Sequence, residues 1–280
     1  MIGQKTNAAT AFLMLCFFLA LTSCGPSGPA EGTPGFYWQA AKETFAARDH
    51  LKTADHLTRI AKTENEFSQR ALPFRLIVTA GLAKTYMDLA SDFDSGIKAS
   101  KGASNTALFQ GRAGYRTQAE RWALEFGEAY LKFEKSTPEP TVKLEFGYPA
   151  TSMADLPEVA RIKDGALLGD AVMATVERRT MEQAVASVTG AAVGASGDPA
   201  KAQALFQSGS AQVPRDVFVL ALANCLYDQA QLFDASRLDK PDRLKFFCQK
   251  GLDALKSIKE SEESKDLAGK LQFALKSGKL

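Results

Sequence analysis

The chain of 280 residues carries 34 basic against 32 acidic side chains and 45% hydrophobic residues, enough apolar content for a real core. A formal net charge of +2 argues against a nucleic-acid binder, which needs a basic face to displace counterions from phosphates. Leu, Ala and Lys abound and β-branched residues are sparse, so the composition leans towards helix.

At the N-terminus a polar start carries one cation, Lys5, and an apolar run from Ala8 to Leu21 follows, closing on Leu21-Thr22-Ser23-Cys24. That is the layout of a secretory signal peptide, and the run is short for a bilayer-spanning helix, which needs ~20 apolar residues. The closing tetrapeptide resembles the lipobox of bacterial lipoproteins. The resemblance implies that residues 1–23 are removed as a signal peptide, that Cys24 takes the lipid, and that the protein sits in a bacterial envelope. Gly25, where an aspartate would favour inner-membrane retention, implies an outer-membrane anchor facing the periplasm. An ordinary signal peptide, or an uncleaved anchor with Cys24 incidental, is the alternative. Residues 24–35 are dense in Gly, Pro and Ser and read as a flexible tether, able to hold a domain roughly 30 Å from the bilayer.

From Phe36 the spacing turns helical. Trp38, Ala41 and Phe45 mark one buried stripe; after Arg48-Asp49-His50, Leu51, Ala54, Leu57 and Ala61 mark a second, so the pair reads as a helical hairpin. Trp38, Ala41, Phe45, Ala54 and Ala61 fall at the offsets of the tetratricopeptide repeat, which this hairpin resembles. Lys42 and Thr58 depart from that pattern. A longer helix is expected from about Leu72 to Asp92, with Pro73 in its first turn. Within it Leu82 to Asp94 shares Leu, Ala, Asp, Ala, Phe and Asp with Leu222 to Asp234, a frame consistent with an internal duplication or with chance in a helical alphabet. Residues 94–112, rich in Gly, Ser and Asn, read as a long loop. Helix follows over Tyr115 to Lys135.

The stretch TVKLEFGY beginning at Thr141 alternates like a strand and reads as an extended connector, 138–154, between helical repeats over 36–137 and over 155–280. Helix resumes near Leu156 and runs with interruptions to Val188. Asp198 then caps a further helix that has Pro199 in its first turn. Val217 to Phe233 is apolar nearly all round, and Leu244 to Ile258 keeps one clean face. A last helix near Glu262 to Lys276 reads as a polar cap. The fold class expected is all-α, a helical-hairpin array of tetratricopeptide-like α-solenoid type, in two related halves if the shared frame is a duplication.

Four cysteines occur: Cys16 lies in the apolar run and Cys24 is the lipid candidate. Cys225 and Cys248 lie at similar distances either side of a turn near Arg237, which puts them at one height in an antiparallel hairpin. A disulfide is favoured, two buried free thiols being the alternative. His50 and His56 are six apart and cannot share a helical face as metal ligands, so they read as a solvated surface pair. Asp92-Phe93-Asp94-Ser95-Gly96 misplaces the glycine of a calcium loop, and Ala103 stands where its bidentate Glu belongs. No nucleophile elbow, phosphate-cradling glycine loop or zinc-protease helix occurs, and acid pairs such as Glu177 with Glu182 or Glu125 with Glu128 read as solvated helix faces.

Neither a catalytic centre nor a metal or cofactor site is therefore expected. The function expected is a non-catalytic interaction scaffold whose partners are the membrane, through its lipid, and an envelope protein or peptide. Tyr86 and Trp122 are its candidate exposed anchors, with core burial as the alternative for both. The alternative function is a helical ligand-binding lipoprotein that partners a solute transporter, marked by an enclosed apolar pocket of a few hundred Å³.

Overall fold

The structure is a computed structural model that describes residues 28–100, 105–136, 138–206 and 209–277. The lipobox with Cys24 lies outside these residues. Ten helices and two short strands are present among them. The first hairpin pairs α1 (Pro34–Ala46) with α2 (His50–Ile60). The Thr33 hydroxyl accepts from the Phe36 N–H and Asp49 from the Lys52 N–H, which fixes where each helix starts. Arg48 turns the chain between them with φ +63°, a conformation costly for a residue with a Cβ. Its guanidinium compensates by donating to the Ala150 carbonyl at 2.9 Å and reaching Glu182 at 3.6 Å. Trp38, Ala41, Phe45, Ala54 and Leu57 of this hairpin are all buried.

Helices α3 (Ser68–Ala99) and α4 (Thr106–Lys135) form a second, much longer hairpin. Helix α3 is the axis of the molecule: it packs against α2, α4, α5 (Pro157–Lys163), α6 (Asp170–Ala192) and α8 (Arg215–Leu232). Its residues from Ala71 to Ala83 are buried without a break, as expected of a helix enclosed on all sides. Pro73 lies a full turn inside α3 rather than in its first turn. The carbonyl it leaves without a donor belongs to Gln69, which is exposed to water.

The long loop expected over 94–112 is largely absent. Helix α3 runs to Ala99 and α4 begins at Thr106. The glycines that suggest a loop are instead points of close packing. A Cβ on Gly96 would collide with the Ile162 carbonyl oxygen, and one on Gly111 with the Phe93 ring.

The strand expected in the connector is β1 (Thr141–Leu144), and it has a partner the sequence does not announce, β2 (Ala211–Pro214), following the short α7 (Pro199–Leu205). The two pair antiparallel with Val142 opposite Val213 and Leu144 opposite Ala211, all four buried. Phe146, just past β1, stacks on Phe74 of α3 at 4.1 Å and meets Phe45 edge-on at 5.0 Å. The connector is thereby fastened to both halves of one continuous core. Asp198 caps α7 through the Lys201 N–H, as its sequence indicates. Helices α8, α9 (Pro241–Lys256) and α10 (Glu262–Ser277) close the array. Among the described residues no helix is long and apolar enough to cross a membrane.

The bridge between Cys225 and Cys248 is not formed: both are free, buried thiols. Equal height along two helices does not give equal direction. Cys225 faces a cavity walled by α3 and α6, whereas Cys248 is wholly buried on the face of α9 that carries Leu244, Gly251 and Leu255.

Candidate functional site

The histidines are not a solvated pair. His50 is 1% exposed, lies edge-on to Phe45 at 5.2 Å and has neither nitrogen hydrogen-bonded. His56 stacks on Tyr37 at 6.0 Å. Of the acid pairs, Glu128 is solvated as expected and Glu182 is not. Glu182 is 2% exposed, lies within 4 Å of Arg48, Arg178 and Arg179, and accepts from the Thr151 hydroxyl at 3.2 Å. Glu177 points elsewhere, and Glu125 and Glu128 both face the buried Arg75, at 2.6 and 3.7 Å. Among the described residues no group of three or more His, Cys, Asp or Glu side chains is placed to hold a metal. Glu125, Glu128 and Glu182 are thus paired with arginines, which suits them to structure more than to proton transfer.

Tyr86 and Trp122 are not exposed anchors, being 4% and 6% exposed. They nevertheless lie in the wall of one open cleft of ≈ 690 Å³, formed where α3 and α4 face the start of α6. The helical period explains the grouping. Tyr86 and Phe93 are seven apart on α3, Tyr115 and Trp122 seven apart on α4, and Met173 and Glu177 four apart on α6, so each helix turns one stripe to the cleft. Tyr86 stacks on Tyr115 at 6.1 Å, and Phe93 meets Tyr115 edge-on at 5.3 Å. Leu51 and Leu167, both exposed, form an apolar rim.

Polar groups in the cleft are few and directed. The Tyr86 hydroxyl donates to Glu177 Oε1 at 2.9 Å. Burial, and then the Glu177 hydrogen bond, push the Tyr86 phenol well above its ordinary range. Burial and the Glu177 charge push Tyr115 up to about 12, so both rings stay neutral donors at any physiological pH. The Arg121 guanidinium lies 5.0 Å from the centre of the Trp122 ring. The Trp122 indole Nε1 is buried with no hydrogen-bond partner. A buried indole N–H ordinarily finds an acceptor, and this one has none. The site is an aromatic floor with a rim of leucines and one buried donor without a partner.

Sequence reasoning names two of the four rings. Phe93 and Tyr115 escape it because they lie just beyond the two ends of the stretch read as a loop. Their seven-residue spacing to Trp122 and Tyr86 is the signal that finds them. The chain matches no known protein family, no curated protein and no solved structure.

Proposed function

We propose that this protein is a lipid-anchored envelope scaffold, moored through Cys24, whose helical-hairpin array docks an extended apolar peptide of a partner protein in the aromatic cleft. The observation that carries the docking is the cleft itself, where Tyr86, Phe93, Tyr115 and Trp122 converge and the Trp122 N–H lacks an acceptor. A peptide carbonyl supplies that acceptor, and apolar side chains cover the rings. The tetratricopeptide-like reading of the hairpins suits this role, because stacked helix pairs present such surfaces without catalytic groups. The envelope location rests on the lipobox resemblance of Leu21 to Cys24. The rival, a receptor enclosing a small apolar ligand, is favoured less because the aromatic cleft is open.

The chain has two tryptophans, so a Trp38→Phe background leaves Trp122 as the reporter. Titration with short peptides alternating Leu or Phe with polar residues is expected to shift and saturate Trp122 emission. Tyr115→Ala should weaken that binding by about tenfold, in line with the loss of an interface aromatic. Saturation by small apolar molecules with no response to any peptide would instead favour the receptor.

A further inference from the structure

We propose that a second groove, between α3 and α8, binds a small phosphorylated amine, with its phosphate at the Arg112–Arg116–Arg237 end and its ammonium at the Asp228–Gln229 end. This groove uses different faces of α3 and α4 from the aromatic cleft and does not depend on the docking reading. It consists of two adjoining hollows whose walls share Met87, Ser91 and Arg237.

The outer hollow, ≈ 500 Å³, is cationic. Lys98, Arg112 and Arg116 line it together with one carboxylate, Asp94, and Arg237 lies at the junction. Asp94 holds the two arginines apart, accepting from Arg112 Nη1 at 2.9 Å and from Arg116 Nη2 at 2.8 Å. Arg116 Nη1 also donates to the Arg237 carbonyl at 2.9 Å, which ties the α8–α9 turn to α4. Arg112 Nε is buried with no hydrogen-bond partner. One carboxylate cannot neutralise this set, so a dianion with several acceptor oxygens fits it better than a single carboxylate does.

The inner hollow, ≈ 160 Å³, carries more acid and is balanced in charge. Its charged side chains are Asp88, Asp228, Lys84 and, at the junction with the outer hollow, Arg237, and Lys84 contacts Asp88 at 3.1 Å. Gln229, in the same wall, is 2% exposed, and its buried amide oxygen has no hydrogen-bond partner. A buried acceptor without a donor is costly, and an ammonium brings donors to it and to the Asp228 carboxylate beside it. The space is close to that of the engineered cavity of about 150 Å³ that admits benzene, ample for an aminoalkyl group. Dipolar walls of this kind bind a dipolar ligand in one orientation.

Calorimetric titration of the full chain at low ionic strength tests this, with O-phosphoethanolamine, inorganic phosphate and ethanolamine as separate probes. O-phosphoethanolamine should bind one to one, about tenfold or more tighter than phosphate, with ethanolamine weaker than either. Arg112→Gln should weaken phosphate and phosphoamine alike by about tenfold. Arg237→Gln is the second variant should loss of Arg112 unfold the chain. Asp228→Asn should reduce the phosphoamine to the affinity of phosphate and leave phosphate unchanged. Sedimentation of the Cys24→Ala chain with vesicles of phosphatidylethanolamine, against phosphatidylcholine, separates the two sources of this chemistry. Selective pelleting identifies a lipid headgroup, and binding of the soluble amine alone identifies a free metabolite. Absence of saturable binding at millimolar concentration, or equal binding of phosphate and phosphoamine in the unmodified chain, overturns the proposal.

Discussion

Burial against Phe45 pushes the His50 imidazole from 6.5 down to about 4, the Asp49 charge raising it and Arg48 lowering it by less. Above pH 6.5 the ring is neutral in both the folded and unfolded chain and has no bearing on stability. Between 6.5 and 4 the unfolded chain takes up a proton that the folded chain refuses, so stability falls as the pH falls. The full loss is about 3 kcal/mol, from ~1.4 kcal/mol per unit. Urea unfolding at pH 7.5 and at pH 4.5 is expected to show this drop, and His50→Phe to remove most of it. An unchanged drop in that variant would move the cause to another group. His50 also shows why residue-level reading fails: its spacing from His56 rightly separates the two, yet nothing in the spacing says that His50 is capped by an aromatic ring. Tyr86 and Trp122 fail in the opposite sense. An aromatic in a helical stripe reads as core or as surface, and these two are buried in their own helices while lining a cleft between three.

Helix identity is legible because the apolar period persists over many residues, as in α2 and α9, where one face is buried and the other solvated. Helix length is not, because glycine has two meanings. Gly96 and Gly111 look like chain breakers, but each is the only residue that allows α3 to meet a neighbour so closely, Gly96 against the α5 turn and Gly111 through Phe93. Gly96→Ala is therefore expected to destabilise by roughly 1–3 kcal/mol, the cost of overpacking against backbone that cannot rotate away. Gly269, midway along the exposed side of α10, meets nothing within 4 Å. There Gly269→Ala should stabilise by roughly 0.5–1 kcal/mol, since only the entropy of a helical glycine is removed. Paired denaturant melts of the two variants measure the contrast, and equal effects would mean that packing at Gly96 has been misjudged. Strand β2 is hard to find for a different reason: four residues ending in Pro214 have no period to read, and their place is set by β1, some seventy residues earlier.

At the scale of the whole molecule, hairpins recur along the chain while the core is continuous, and the two cysteines show what that continuity does. Sequence places them level on neighbouring helices. The third helix layer decides the outcome: α3 and α6 draw the Cys225 face of α8 inward, away from α9. Burial pushes the Cys225 thiol up to about 12, with Asp228 adding to it, and the Cys248 thiol up to about 11. At pH 8 the thiolate fraction is then on the order of one in a thousand or less, and the thiolate is the reactive form. Alkylation of the folded chain with iodoacetamide is therefore expected to spare both residues, even in an oxidising compartment, where an accessible pair would bridge. Unfolding in denaturant without reductant should expose both, and peptide mapping should find Cys225 and Cys248 alkylated. Peptides carrying the two residues that stay unmodified until reductant is added would show a disulfide, and with it an α8–α9 packing different from the one that forms the inner wall of the α3–α8 groove.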